Sequence, residues 1–473
     1  MAPSDRLIVA AQRDGLGGRL VTMSTAKMLA NRTGLRFGFL WNVRAVDDKQ
    51  THFIDVASKM FDKAFIDQYW VGVRPGRRGF GQLDDAPFSI DDLRTESRRS
   101  SRRGWTCQLG AYSQITPSDG QLDADRSKAF HEIVFASHMR QVVDRADAAT
   151  LPKNVVALHL RAGDIVYGGF RNRPRFWPKV IPAPLAVNLI AKFKERGDEV
   201  LLFGEDEERL KQLSALTGCG LVENFGAPPR WAFTERAFFE FALMSRCREI
   251  CGGYSSFNRL ASIRNLAPIV DPLRLYAPAE IKDVIVDELR RNEAAYRPRE
   301  AAFGYLFAAF ASAAAPREQA ALLQEGFRLD PENSLYPLKL ASLAFAEGRN
   351  EDGEAILGRA LPARSRSDRR RARSILHPLT LHDAPLDWKD DIAHFRGAAK
   401  SGQANAAACC ALYFARYGDP AEAREFARAA LKADRGNLIF RRIAMTVELR
   451  ALRRLGGRIG TLFRSRRPRR AAI

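Results

Sequence analysis

The chain opens on a short apolar run, Leu7–Ala11, followed by a polar, glycine-rich stretch, Asp14-Gly15-Leu16-Gly17-Gly18-Arg19. Apolar positions Met23, Ala26 and Leu29 then recur at helical spacing, and Arg36–Trp41 forms the next apolar run. Strand, glycine turn, helix, strand is the opening of a parallel α/β unit. A helix is predicted over about 127–146, and the Arg/Ser-rich stretch 94–103 reads as a mobile, solvated loop. The alternation resumes with Val155–Leu160 as a strand, a loop over 161–184, and Leu185–Arg196 as a helix. Glu199–Phe203 reads as a strand, Glu207–Leu216 as a helix and Leu221–Val222 as a short strand. Helix Glu235–Ser245, strand Glu249–Gly252, turn Tyr254–Ser256 and helix Asn258–Arg264 complete the pattern. Two doubly wound α/β domains divided near residue 150 are the expected architecture.

Beyond about residue 300 the pattern changes to Ala-rich helices without strand signal. Glu354-Ala355-Ile356 and Glu422-Ala423-Arg424 recur at about twice the 34-residue tetratricopeptide period, and Asp330–Asn333 and Asp434–Asn437 at about three periods. These landmarks resemble degenerate tetratricopeptide repeats, with a generic helical bundle as the alternative. The expected domains are 1–150, 151–298, an all-α region over 299–448, and a basic tail over 449–473.

Composition narrows the class. The 473 residues are 27% charged and 46% hydrophobic, which excludes wholesale disorder. Six cysteines are too few for a disulfide scaffold, and neither Cys247/Cys251, placed on one helix, nor the adjacent Cys409/Cys410 resembles a zinc arrangement. A reduced, cytoplasmic protein is expected, since Met1–Arg6 opens no signal peptide and no apolar run reaches the roughly 18–20 residues of a membrane span. The formal charge of +20 invites a nucleic-acid reading, but it is concentrated. Arg94–Arg103, Arg359–Arg373 and Arg450–Arg470 hold nearly all of the excess, leaving a body close to neutral. No interleaved aromatics or binding module accompany them, so nucleic acid is not an expected partner. In the tail Leu452, Leu455, Ile459, Leu462 and Phe463 alternate with arginines despite Gly456, Gly457 and Gly460. Such spacing suits an interfacial helix on the anionic inner face of a membrane; a frayed basic terminus is the alternative.

Four stretches carry candidate chemistry. His159-Leu-Arg161-Ala-Gly-Asp164 ends a predicted strand, the edge where open α/β sheets bind ligands. Arg161 offers a permanently charged, forked donor to a phosphate, Gly163 allows a tight turn, and Asp164 orients the arginine or accepts a hydroxyl. A structural Arg–Asp pair with His159 in the core is the plainer reading. Gly252–Arg259 runs a strand through a small-residue turn into a helix, so Ser255, Ser256 and backbone N–H groups form either an anion site or an ordinary cap. Phe257 suits a base or the core equally. The Gly15-Leu-Gly17-Gly18-Arg19 stretch allows close approach to a diphosphate, but Leu20 breaks G-x-G-x-x-G. Glu205 and Asp206 end another strand, where they hold a base or ribose or cap the next helix.

The order of these motifs resembles the GDP-fucose-dependent fucosyltransferases, including the α-1,2, nodulation-type α-1,6 and protein O-fucosyltransferase groups. The resemblance spans roughly residues 5–290. It implies a GT-B-like pair of Rossmann-like domains and inverting, metal-independent transfer of fucose from GDP-fucose to a glycan or protein acceptor, with no cofactor. It assigns Arg161 to the diphosphate, Ser255 and Ser256 to its hydroxyl partners, Phe257 to the vicinity of guanine, and Glu205 or Asp206 to the nucleotide. Gly15, Gly17, Arg19 and His159 complete the donor site, and Arg161 with Asp164 forms the catalytic set. Gly18 stands where many relatives carry Asn, and Ala162 where many carry a second Arg. Stabilising the departing diphosphate falls to Arg161 and the helix start. The acceptor's proton falls to Asp14, Asp164 or Glu223, and Asp123-Ala-Asp125 reads as a surface feature in a polar loop. The helical region is expected to bind a protein partner. A non-catalytic adaptor carrying a decayed transferase domain is the competing reading.

Overall fold

The computed structural model describes residues 5–43, 54–72, 79–117, 120–228, 231–311, 314–361, 375–381 and 384–465. They form two compact units, 1–168 with 178–277, and 169–177 with 278–473.

The first unit contains two parallel sheets. One has the order β2-β1-β4-β3, built from β1 (Leu7–Ala10), β2 (Arg36–Phe39), β3 (Phe80–Gln82) and β4 (Gly104–Cys107). Both β2 and β4 pair with β1 in parallel, with Ala10 opposite Phe39 and Cys107. The other has the order β7-β6-β5-β8-β9, from β5 (Val155–His159), β6 (Glu199–Phe203), β7 (Gly220–Leu221), β8 (Glu249–Gly252) and β9 (Ile269–Val270). Numbered within itself that sheet reads 3-2-1-4-5, the doubly wound Rossmann order. Its strand order reverses between β5 and β8, where His159 stands opposite Gly252.

The helices of this unit are α1 (Leu16–Thr33), α2 (Ala57–Met60), α3 (Lys63–Tyr69), α4 (Ile90–Arg99), α5 (Gly120–His131), α6 (Ser137–Ala148), α7 (Gly163–Val166), α8 (Ala183–Glu195), α9 (Glu207–Thr217), α10 (Phe233–Met244) and α11 (Ser256–Asn265). Helix α1 is buried along most of its length because it packs on β1, β2, α5 and α11 together. Phe39, Trp41 and Phe61 close the core beneath β2, with ring centroids 4.8–5.1 Å apart.

Several expectations are corrected here. The stretch 94–103 is not a loop: α4 reaches Arg99, started by a Ser89–Asp92 capping box and anchored by buried Leu93. Arg94 there pairs with Asp91, and Arg102 with Glu96. The helix expected over 127–146 is two helices, α5 and α6. The chain breaks between them so that Phe135 bridges Phe61 and the Ala136 N–H reaches the Met60 carbonyl. Asp123 and Asp125 consequently lie on α5 rather than in a loop; Asp125 pairs with Arg32 and accepts from Gln121 at 3.0 Å. Cys247 follows α10 while Cys251 belongs to β8, so they share no helix, and burial raises both thiols.

The second unit is helical apart from its loops. It includes α12 (Pro278–Asn292), α13 (Pro298–Ala311), α14 (Pro316–Leu329), α15 (Leu335–Ala346), α16 (Asn350–Ala360) and further helices at Asp391–Lys400, Ala404–Tyr417, Pro420–Ala433 and Leu438–Ser465. Short loops fold neighbours into hairpins, as in α13 with α14 and in 404–417 with 420–433. The two Asp-to-Asn turns share one hydrogen-bond pattern. Asn333 Oδ1 accepts from the Leu335 N–H at 3.1 Å, and Asn437 Oδ1 from the Ile439 N–H at 2.9 Å. Gly169–Trp177 belongs to this unit: Arg171 pairs with Asp330 at 3.3 Å, Asn172 donates to Ser334 at 3.3 Å, and Trp177 packs on Phe310. Among the described residues no helix is long and apolar enough to cross a membrane. Most of the Arg359–Arg373 cluster, and the tail side chains beyond Leu452, lie outside the described residues.

Candidate active site

The motif His159–Asp164 and the turn Gly252–Ser256 leave the sheet side by side, at the carboxyl ends of β5 and β8. That reversal point is where an open parallel sheet forms a crevice, because the helices following the two strands diverge to opposite faces. Arg161 is mostly buried there and donates to Asp164 Oδ1 at 3.0 Å, with Asp164 itself enclosed on the short helix α7. A guanidinium held by a buried carboxylate is fixed in direction before any ligand arrives.

His159 is buried under Arg161, and its ring stands 5.5 Å from that of Phe257. Burial first, and then the Arg161 charge, depress the imidazole to about 3, with the Asn258 side chain acting in the opposite sense. A neutral imidazole adds no repulsion to Arg161, and one this weakly basic is a poor proton acceptor at neutral pH. It serves as packing under the arginine.

Glu205 ends β6, accepts from the Ala162 N–H at 3.2 Å, and is open to solvent. Protein nevertheless surrounds its carboxylate and raises its pKa, against the pull of Arg161. Farther along the same edge, Arg236 pairs with Glu207, Glu223 and Glu240. Burial raises Glu240 to about 7 in spite of Arg236. Asp206 caps α9 through the Arg209 N–H at 3.2 Å and accepts the Tyr167 hydroxyl at 3.0 Å, so its bland role is realised.

Ser255 is the N-cap of α11 and accepts from the Phe257 N–H at 3.2 Å. Ser256, next in line, turns its hydroxyl toward α1. A methyl placed on Gly18 would stand 3.8 Å from Ser256 Oγ and 3.6 Å from Asp14 Cβ. Gly17 faces the α11 backbone so closely that a Cβ would lie 2.9 Å from the Phe257 nitrogen. The glycine stretch is therefore mostly helix, α1 beginning at Leu16 and not near Met23. Gly17 provides close helix contact, while Gly15 caps the helix in extended conformation. Arg19 turns away from this point. Its guanidinium donates to the carbonyls of Asp14 and Asn42, both at 2.7 Å, and of Arg13 at 3.1 Å, and it lies over Trp41. It shapes the loop after β1.

The structure thus brings together Gly17, His159, Arg161, Asp164, Glu205, Ser255, Ser256 and Phe257, and directs Arg19 and Asp206 to local structure. Of the three proton acceptors considered, Asp164 pairs with Arg161 and Glu223 with Arg236. Asp14 is exposed and accepts from Gln12 Nε2 at 2.5 Å, with no ion pair among the described residues. Asn258 and Tyr167 were not singled out in the sequence. Asn258 donates to the Gly253 carbonyl at 3.0 Å and locks the turn, but an Asn after Ser-Ser-Phe has no signature of its own. Among the described residues no group of His, Cys, Asp and Glu is gathered as a metal site.

No family model matches the sequence, and no curated protein matches it. Among solved structures, NodZ alpha-1,6-fucosyltransferase soaked with GDP-fucose is 16% identical, over 56% of this chain and 94% of that one, with a TM-score of 0.35. Fucosyltransferase NodZ from Bradyrhizobium is 15% identical over 56% and 96%, also at 0.35. POFUT1 in complex with GDP is 12% identical over 57% and 99%, at 0.34.

Proposed function

We propose that the chain is a glycosyltransferase that takes a sugar, fucose first among candidates, from its GDP conjugate and passes it to a glycan or protein hydroxyl with inversion and without a metal. The observation that supports this reading best is Arg161, held by buried Asp164 at the strand-order reversal of the second sheet, beside the start of α11. As the bond between the anomeric carbon and the β-phosphate oxygen breaks, both electrons leave with the diphosphate. Arg161 and the positive end of α11 neutralise that charge. The acceptor oxygen attacks the opposite face of the anomeric carbon and gives its proton to a carboxylate, for which exposed Asp14 is the favoured group. Glu205 and its acidic neighbours on the β6 edge suit the N1–H and amino donors of guanine.

Thermal shift with GDP, UDP and ADP on the whole chain tests the nucleotide, GDP alone being expected to stabilise at millimolar concentration. Consumption of GDP-fucose, and its loss in Arg161→Ala, tests the reaction; unchanged turnover in that variant would overturn the assignment. Gly18, lacking the Asn of many relatives, favours the second reading, a decayed transferase domain serving an adaptor. Firm GDP binding with no turnover of any GDP-sugar would select it. The helical unit, read as tetratricopeptide-like, then offers a surface for a protein partner. Met445, Leu449 and Leu452 form an exposed stripe on helix Leu438–Ser465 that leads into the basic tail. We read it as a peripheral anchor for a cytoplasmic protein, to be checked by salt-sensitive binding to anionic vesicles.

A further inference from the structure

The carboxyl edge of the first sheet carries a second concentration of positive charge. Arg126, on α5, is only 6% exposed, and its guanidinium lies 4.1 Å from the centroid of the Tyr112 ring. Among the described residues it has neither an ion pair nor a hydrogen bond, and its buried Nε is without a partner. Asp123, one turn earlier, acts on it at a distance, but Asp123 Oδ1 is taken by the Tyr112 hydroxyl at 2.5 Å. Asp84, also nearby, accepts from the Gln108 N–H at 2.8 Å. Cys107, at the end of β4, is buried beside Arg126 and stays a neutral thiol.

Arg259 approaches from the other side. It sits on α11 one turn after Ser255, half-buried, with its guanidinium 4.0 Å from the centroid of Tyr254. It too has no ion pair among the described residues. Helices α5 and α11 pack together, Ser127 and His131 both reaching the Arg264 carbonyl. Burial first, and with it the charge of Arg259, lowers Arg126 to about 10. The first turns of α1 and α11 meet at Gly17 and Phe257. Two neighbouring guanidiniums, each backed by an aromatic ring and neither ion-paired among the described residues, are costly in isolation. An oxyanion from outside the chain removes that cost, and guanidiniums match its geometry.

We propose that Arg126 and Arg259 form an oxyanion site at the carboxyl edge of the first sheet, separate from Arg161, and that its ligand is a phosphate or carboxylate of the acceptor. Assigning the anion to an acceptor rests on the transferase reading; the site itself does not. The acceptor class that follows is an acidic one, such as a phosphorylated or uronic-acid-bearing glycan, or an acidic peptide.

The test is titration of the whole chain with inorganic phosphate, followed by melting and calorimetry, in an Arg161→Ala background that disables the other arginine. Saturable binding is expected, weakened at least tenfold by Arg126→Met and by Arg259→Gln. The half-buried Arg259 variant decides the matter if Arg126→Met does not fold. Phosphate affinity that survives Arg259→Gln overturns the site. With Arg161 intact, GDP affinity is expected to be unchanged by Arg259→Gln, and phosphate not to be displaced by GDP. Displacement, with weakened GDP binding in the variant, assigns the anion to the donor's diphosphate and overturns the acidic-acceptor assignment. A chain that binds phosphate but no GDP removes the transferase reading and leaves the oxyanion site standing.

Discussion

The two sheets of the α/β unit each have an arginine near their carboxyl edge, and the two places are furnished in opposite ways. In the second sheet the charged residue comes with its counter-ion: Arg161 has Asp164 at 3.0 Å, three residues on. In the first sheet Arg126 has an aromatic ring beneath it and no carboxylate bound to it among the described residues. A paired arginine is ready in a fixed direction and loses little on binding. An unpaired buried one is held in reserve for something that has to arrive. Electrostatic preparation and electrostatic deficit are different designs.

The strongest way to break this contrast is Arg161→Ala, expected to lower kcat with a GDP-sugar by about 100- to 1000-fold. A loss below tenfold would put the essential charge elsewhere, with Arg126 the first alternative. Next comes Asp164→Ala, which strands a mostly buried guanidinium. A destabilisation of about 3 kcal/mol by urea titration is expected. If stability is unchanged, Arg161 does not depend on its carboxylate and the contrast between the two sites weakens.

His159 sharpens the comparison through pH. The unfolded imidazole binds its proton near 6.5 and the folded one only near 3, so acid favours the unfolded chain across that window. The stability His159 contributes is complete above about pH 6.5 and is lost as pH falls toward 3. Glu240, raised to about 7 from 4.5, acts in the opposite sense, costing stability as pH rises from 4.5 through 7. The measurement is therefore the difference between the wild type and His159→Phe in melting temperature against pH. The curves should converge on acidification; parallel curves would mean that His159 is not buried neutral beneath Arg161.

The smallest effects separate two adjacent glycines. Gly17→Ala drives a methyl to within 2.9 Å of the α11 backbone and is expected to cost about 1–3 kcal/mol. Gly18→Ala meets only ordinary contacts and, lying in a helix, should be neutral or stabilising by up to about 1 kcal/mol. Equal costs at both sites would contradict the close contact of α1 with α11.

What could be read in the sequence divides along the same line. The second sheet announced itself because its chemistry lies in contiguous stretches: a strand ending in His159–Asp164, another ending in Glu205–Asp206, and a turn ending in Ser255–Ser256. Local spacing conveys such motifs, since the residues that meet are near one another in the chain. Arg126 was invisible for the opposite reason. Its partners Tyr112 and Arg259 are 14 and 133 positions away, and an arginine after Asp123-Ala-Asp125 reads as one more solvated charge. The misread helix over 127–146 has a similar cause, since the Phe135–Phe61 bridge that interrupts it depends on tertiary pairing rather than periodicity. Arg19 reads as a ligand because charge beside glycine suggests phosphate, whereas in the fold three loop carbonyls take the same donors.

The path of the chain after Asp164 bears on how this protein can be taken apart. Residues 169–177 pack with the helical unit, through Arg171 to Asp330 and Trp177 to Phe310, before the chain rejoins the α/β unit at Pro178. Cutting the polypeptide near residue 277 would not yield an intact α/β unit. It would leave a nine-residue excursion shorn of its packing partners, beginning five residues downstream of Asp164. The helical region is in this sense tied into the chain of the α/β unit rather than appended after it, and the two parts are expected to be expressed well only together.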